Sequence, residues 1–265
     1  GLLDLFSFNA FTNQTTNASQ FVSTLGSGFF PFALSWAPNN LQFAFGLVLP
    51  EILVQIDPQL LSLNPNLLTL LRVFQFDAIS QRFEQVSTAI PPFGALFGIS
   101  WSADNQYLAV GGGFGLENGA LKVLSFDQSN PHLSVVAETL DLGSTTSLIS
   151  SVDWSPVNDY IAVGGYQLPG DDLQIYRFDR QTPMLSLVDT DITNSFIPDP
   201  NPFPQFFNIV RSVQWTYDGK YLAVSDNLRT PGVLIYRFDQ SQETISLVDY
   251  VATETNANKS ITSLA

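Results

Sequence analysis

A chain of 265 residues with 24 acidic and ten basic side chains, net charge −14, lacks the basic footprint that nucleic-acid phosphates require, and its sign opposes adhesion to an anionic bilayer. The absence of cysteine excludes disulfides, thiolate nucleophiles and cysteine-ligated metals. Apolar residues make up 45% and charged residues only 13%, so a large core is available while Asn, Gln, Ser and Thr supply the polarity, a balance that points to an extracellular or cell-surface protein.

In chain order, Leu5-Phe-Ser-Phe8-Asn9 introduces a pattern that recurs to the end. Residues 2–9 and 21–25 read as the third and fourth strands of a unit without its first two. The next unit opens on Phe32-Ala-Leu-Ser-Trp36-Ala-Pro, an apolar run ending in Trp, and passes through a polar turn to Phe43-Ala-Phe-Gly46. A strand ending in Phe76-Asp77 and a fourth at 83–86 complete it. The second unit repeats this as Phe97-Gly-Ile-Ser-Trp101, Tyr107-Leu-Ala-Val-Gly111, Val123-Leu-Ser-Phe126-Asp127 and 133–136. The third reads Ser151-Val-Asp-Trp154, Tyr160-Ile-Ala-Val-Gly164, Ile175-Tyr-Arg-Phe178-Asp179 and 185–188; the fourth reads Ser212-Val-Gln-Trp215, Tyr221-Leu-Ala-Val-Ser225, Ile235-Tyr-Arg-Phe238-Asp239 and 245–248. Residues 260–265 read as the start of another first strand. Trp36, Trp101, Trp154 and Trp215, all the tryptophans of the chain, thus occupy one repeat position.

Short β-favouring runs of period two, separated by turn residues such as Asp218-Gly219 and showing no helical periodicity, predict four antiparallel strands per unit. One such sheet buries only part of its apolar surface, so the units must stack face to face as propeller blades. The expected fold is an all-β propeller of four complete blades, with cores at about 29–91, 96–143, 148–192 and 208–253, plus partial blade strands at 2–25 and 260–265. Either the two ends meet to close a five-bladed ring, or the chain is a window of a longer propeller or array. The chain opens at Gly1 without a targeting signal, which is expected to have been removed or never to have been part of it. The longest apolar stretch, 41–56, is broken by Gln42, Pro50, Glu51 and Gln55, too often to cross a bilayer as a helix.

Trp154-Ser-Pro-x-x-x-Tyr160-x-Ala-Val-Gly-Gly165, followed by Ile175-Tyr-Arg-Phe-Asp179, resembles the WD-repeat-like propellers of bacterial multi-repeat proteins, over nearly the whole chain. The resemblance implies a binding platform. Phe-Asp replaces the Trp-Asp dipeptide of typical WD repeats, and their Gly-His dipeptide is absent together with the hydrogen-bond network it supports. Aromatic packing is therefore expected to carry blade rigidity.

The leading expectation is a protein-binding or assembly module that is not an enzyme and takes no cofactor, self-assembling through its incomplete terminal blades. The alternatives are a lactonase-like hydrolase, prompted by Tyr-Arg-Phe-Asp strand ends of similar form in lactonase propellers, and a carbohydrate-binding propeller. The apolar insertion over 50–70 is expected either to fold over its own blade or to present a contact surface; the segment offers the first choice of partner contacts at Ile52, Leu53, Val54, Leu60 and Leu61, with Phe203, Phe206 and Phe207 in a later long loop as the second. Asp77, Asp127, Asp179 and Asp239 are expected to accept backbone N–H groups in the turns they open; the functional alternative is an acidic ring on one rim that attracts cations or basic partners. Sequons at Asn13, Asn17 and Asn258 are expected between strands, where glycans fit. His132, the only histidine, is expected in an exposed turn, unable to build a triad or a metal site alone. Asp171-Asp172 and 198–202 lack the spaced ligand series of a calcium loop, so no metal is expected.

Overall fold

The computed structural model describes residues 2–9, 14–22, 30–48, 69–77, 79–80, 82–89, 95–113, 120–139, 148–166, 172–191, 210–226 and 232–252, and every regular element among them is a β-strand. Eighteen strands form one hairpin, β1 (Leu2–Asn9) with β2 (Gln14–Val22), and four antiparallel four-stranded sheets. The first blade is β3 (Phe30–Trp36), β4 (Gln42–Val48), β5 (Thr69–Asp77) and β6 (Arg82–Ala89). The second is β7 (Ala95–Trp101), β8 (Tyr107–Gly113), β9 (Leu121–Asp127) and β10 (His132–Glu138). The third is β11 (Leu148–Trp154), β12 (Tyr160–Tyr166), β13 (Leu173–Asp179) and β14 (Met184–Asp191), and the fourth is β15 (Val210–Trp215), β16 (Tyr221–Asp226), β17 (Gly232–Asp239) and β18 (Thr244–Ala252). These are propeller blades, as the repeat predicts.

The core lies between blades rather than within one. Ala44, Leu71 and Val73 of the first blade meet Leu96, Leu108 and Val110 of the second; Ala109, Leu121 and Val123 meet Ile149, Ile161 and Val163 of the third. Ala162, Leu173 and Ile175 meet Val210, Leu222 and Val224 of the fourth. A second strand therefore sends alternate side chains into two junctions and is buried on both faces, which explains the unbroken Leu-Ala-Val-Gly runs. Fourth strands lie outermost and are the least buried: His132–Glu138 buries Leu133 and Ala137 alone, and Met184–Asp191 buries no residue fully.

Close stacking needs glycine on the second strand. A Cβ on Gly111 would lie 2.3 Å from Ile149 Cγ2, on Gly164 2.2 Å from Val210 Cγ1, and on Gly46 2.5 Å from Leu96 Cδ2. Without side chains there, the next blade's first strand seats directly against the sheet. The turn from first to second strand places Asn40, Asn105 and Gly219 at φ of 58°, 60° and 65°, a region that asparagine and glycine tolerate.

Each complete blade also carries two bulges at repeated positions that strand patterns do not reveal. The first strand skips Phe32, Phe97, Ser150 or Arg211, and the fourth skips Val86, Val136, Val188 or Val248. The β1–β2 hairpin has the second of these. Leu5 pairs with Ser19 and Phe6 with Asn17, matching Val73 with Ser87 and Phe74 with Gln85. By register the hairpin is the outer half of a blade, and β2 packs beside β6. Its fourth strand begins at Gln14 rather than near 21, and Asn17 lies within it, not between strands. An outermost strand is held by backbone pairing to β1, so the polar run 14–20 carries no apolar signal. His132 likewise opens β10, opposite Asp127, and is exposed.

Trp101, Trp154 and Trp215 are buried, whereas Trp36 is 42% exposed. The indoles of Trp101 and Trp215 reach the preceding blade's first strand, and among the described residues no first strand precedes β3. Residues 52–54, 60–61, 203, 206–207, Asn13, Asn258 and 260–265 lie outside the described residues.

Candidate functional site

Strands alternate direction, so the turns joining first to second and third to fourth strands all emerge at one end of the blades. Asp77, Asp127, Asp179 and Asp239 each close the third-to-fourth turn. Asp127 Oδ1 accepts from Ser129 N at 2.8 Å, Ser129 Oγ at 2.7 Å and Asn130 N at 3.3 Å, and Asp239 repeats this with Ser241 and Gln242. Asp179 accepts from Gln181 N and from Thr182, and Asp77 from Ile79 N and Ser80 N. These bonds favour the ionised form: Ser129 holds Asp127 below the ordinary carboxylate range, Thr182 does so for Asp179, Ser241 for Asp239 and the Ile79 N–H for Asp77.

Arg180 ties neighbouring turns together. Its Nε and Nη2 donate to Asp159 at 2.6 and 2.7 Å, Nη1 donates to Asp104 of the second blade at 2.5 Å, and the guanidinium lies 5.1 Å from the Tyr107 ring centre. Burial works against the charge on Asp104, but bonds from Ser102 Oγ and Arg180 outweigh it and lower its pKa. On the other side Asn39 N of the first blade donates to Asn105 Oδ1 at 3.0 Å. The second blade's turn is thus clamped from both neighbours. At the next junction Glu243 accepts from Tyr160 Oη at 2.8 Å and from Arg177 at 2.6 Å.

Beneath the rim, aromatic packing joins the blades. Phe178 meets Trp154 of its own blade edge-on at 5.6 Å and Tyr107 of the preceding blade at 5.0 Å; Phe238 repeats this with Trp215 at 5.4 Å and Tyr160 at 4.7 Å.

The residues before Trp101 and Trp154, Ser100 and Asp153, form a latch between blades that strand patterns do not single out. Trp154 N donates to Ser100 Oγ at 2.9 Å, and Trp215 N donates to Asp153 Oδ2 at 2.7 Å. Ser100 Oγ in turn donates to Asp153 Oδ1 at 3.2 Å. Burial raises the Asp153 pKa to about 6 in spite of these bonds. The polar residue ahead of every Trp (Ser35, Ser100, Asp153, Gln214) was the available signal.

An open cleft of about 560 Å³ occupies the second blade's rim among Asp104, Gln106, Tyr107, Ser125, Asp127 and Gln128. The same end carries exposed apolar turn residues, with Ile79 at 95% and Tyr217 at 91% exposure and Leu41 and Val157 about half exposed. Among the described residues no group of three or more His, Asp or Glu side chains is placed to hold a metal ion.

No protein-family model and no curated protein sequence matches the chain. Solved structures share its fold. The periplasmic gluconolactonase of Pseudomonas aeruginosa superposes with a TM-score of 0.50 at 15% identity, over 95% of this chain and 79% of that one. A candidate 6-phosphogluconolactonase of Bacteroides fragilis gives 0.62 at 12% identity, over 95% and 65%. Chaetomium thermophilum Sqt1, bound to the N-terminus of ribosomal protein L10, gives 0.57 at 16% identity, over 95% and 56%. The chain therefore spans less than two thirds of the latter two. These likenesses correct one expectation. The exclusion of an enzyme does not stand, because proteins named as lactonases carry this same fold.

Proposed function

We propose that the chain is a propeller platform that binds a protein through its turn rim. The observation that carries this reading is the set of apolar tips, Leu41, Ile79, Val157 and Tyr217, displayed at one end of the blades. Single exposed apolar residues are ordinary, but these share one face and sit on or beside turns held by internal hydrogen bonds. Ile79 N is bonded to Asp77, and Tyr217 sits in a turn closed by Thr216 Oγ1 and Asp218 at 2.7 Å. Turns whose backbone is already held in place lose little backbone entropy when a partner covers them. Sqt1 bound to a ribosomal-protein N-terminus supports the reading from a neighbour's side. The test is a partner reconstituted from purified components. Ile79→Ser with Tyr217→Ser is expected to weaken binding at least tenfold, and Val251→Ser on the outer strand to leave it unchanged; equal binding by all three proteins overturns the reading.

Lactone hydrolysis is the second reading, and the two lactonase-named neighbours support it no less than Sqt1 supports the first. The specific observation in its favour is Asp153, an inner-strand carboxyl that burial pushes up to about 6, within the range of a general base, with Ser100 Oγ bonded to it at 3.2 Å. Gluconolactone hydrolysis followed in a pH-stat, against the spontaneous rate and against Asp153→Asn, tests it. Turnover no faster than the spontaneous rate ends it.

A further inference from the structure

The cleft on the second blade is bordered by a small side chain where two other blades carry a long cationic one. Tyr107 pairs across the sheet with Ser125, whereas the equivalent tyrosines, Tyr160 and Tyr221, pair with Arg177 and Arg237. In those two blades the arginine lies near enough to the aspartate two residues on, Asp179 or Asp239, to favour its charge. The second blade keeps the aspartate but carries no arginine of its own at this position; Arg180 of the third blade reaches over Tyr107 to Asp104 at the cleft's edge. Ser125 Oγ turns back to the Ser134 carbonyl at 3.4 Å, and only turn donors favour the Asp127 charge.

The geometry points to a guanidinium group supplied from outside, the side chain of an arginine on a partner protein, seated in the second blade's cleft beside Asp127, on the blade whose third strand carries Ser125 where the third and fourth blades carry Arg177 and Arg237. The acceptors for it are present. All three turn bonds of Asp127 go to Oδ1, which leaves Oδ2 with its acceptor capacity. Gln128 donates its Nε2 to Asn105 O at 3.3 Å and so keeps Oε1, and the Gln106 amide borders the same cleft. A planar group with five N–H donors satisfies several such oxygens at once, which a compact ammonium does less well. The net charge of −14 raises the local concentration of any basic segment at low salt. Arg180 cannot serve, since its donors are committed to Asp159 and Asp104.

This inference rests on the platform reading and names the partner's chemistry at one point of the rim. The full chain, labelled with nitrogen-15, is titrated with acetyl-Gly-Arg-Gly-amide and with its lysine and citrulline counterparts. Saturable shifts at the Gln106 and Gln128 side-chain amides and the Ser129 backbone are expected, with arginine at least about threefold tighter than lysine and no saturation by citrulline. Ser125→Arg restores the residue the neighbouring blades tolerate and is expected to weaken peptide binding at least tenfold while distant resonances stay in place. Asp127→Asn keeps a turn acceptor and is expected to weaken it about fivefold. Citrulline or lysine binding as well as arginine, or Ser125→Arg leaving affinity unchanged, overturns the inference. Loss of the purified partner in the Ile79/Tyr217 variant alongside such a failure leaves the platform reading intact; retention of the partner there ends that reading as well.

Discussion

Replacing Asp153 by asparagine should stabilise the protein at neutral pH and flatten its pH dependence. The carboxyl rises from 3.8 to about 6 on folding, chiefly through burial. A group that holds its proton more tightly when folded contributes most below its unfolded pKa and loses that contribution as pH climbs through the folded value. Here the loss falls between about pH 4 and pH 6. Two units at about 1.4 kcal/mol each amount to roughly 3 kcal/mol, an upper bound because relaxation of the surroundings lowers the cost of the buried charge. Asparagine still accepts the Trp215 N–H through its carbonyl, and its amide can donate to Ser100 Oγ, so the latch keeps its shape. Part of the gain is offset because a neutral acceptor is weaker than a carboxylate. The net expectation is about 1–2 kcal/mol in favour of Asp153→Asn at pH 7.5 and no advantage at pH 4. The turn aspartates act in the opposite sense, their contribution present above the ordinary carboxylate pKa and lost as pH falls below it, but they are common to both proteins and cancel. Urea unfolding of the two proteins from pH 4 to pH 8 measures the difference directly. Parallel stability curves would refute the burial argument.

Trp101→Phe should cost about 2–3 kcal/mol through lost burial and loss of the bond from its indole to Ser35 O, whereas Trp36→Phe, half exposed, should cost under about 1 kcal/mol; urea midpoints compare them. Gly164→Ala places a methyl 2.2 Å from Val210 Cγ1 and 2.9 Å from Val213 Cγ1, so the junction of third and fourth blades must part, at about 1–3 kcal/mol in a thermal melt. Arg180→Ala should cost about 1–2 kcal/mol at low salt and less in 1 M salt, because the ion-pair network it removes is partly solvated; denaturation at two ionic strengths reads the difference.

Strand positions were legible because each blade repeats its apolar grammar: Trp and Phe-Asp mark the same two places in all four blades, and Tyr marks a third in three of them. What escaped detection spans blades. Ser100 and Asp153 are 53 residues apart, and Arg180 and Asp104 are 76 apart, so no local pattern pairs them. The bulges at Phe97 or Val136 change register without changing residue type, which leaves alternation blind to them. The β2 strand was set too late because an outer strand needs no apolar residues. The cleft required comparing Ser125 with Arg177 and Arg237 across units, where the informative feature is a missing side chain. The enzyme exclusion failed for a different reason: the fold that the repeat predicts is one that lactonase-named proteins also carry, and the repeat grammar reports the fold without the chemistry placed on it.

The central claim is that the turn rim is the working face. Hydrogen–deuterium exchange of the purified protein, with and without its reconstituted partner, tests it most directly. New protection is expected in turns 37–41, 102–106, 127–131, 155–159 and 216–220, with Ser129 among the slowest amides. Protection confined to the outer strands β6, β10, β14 and β18, with the turns unchanged, would contradict it.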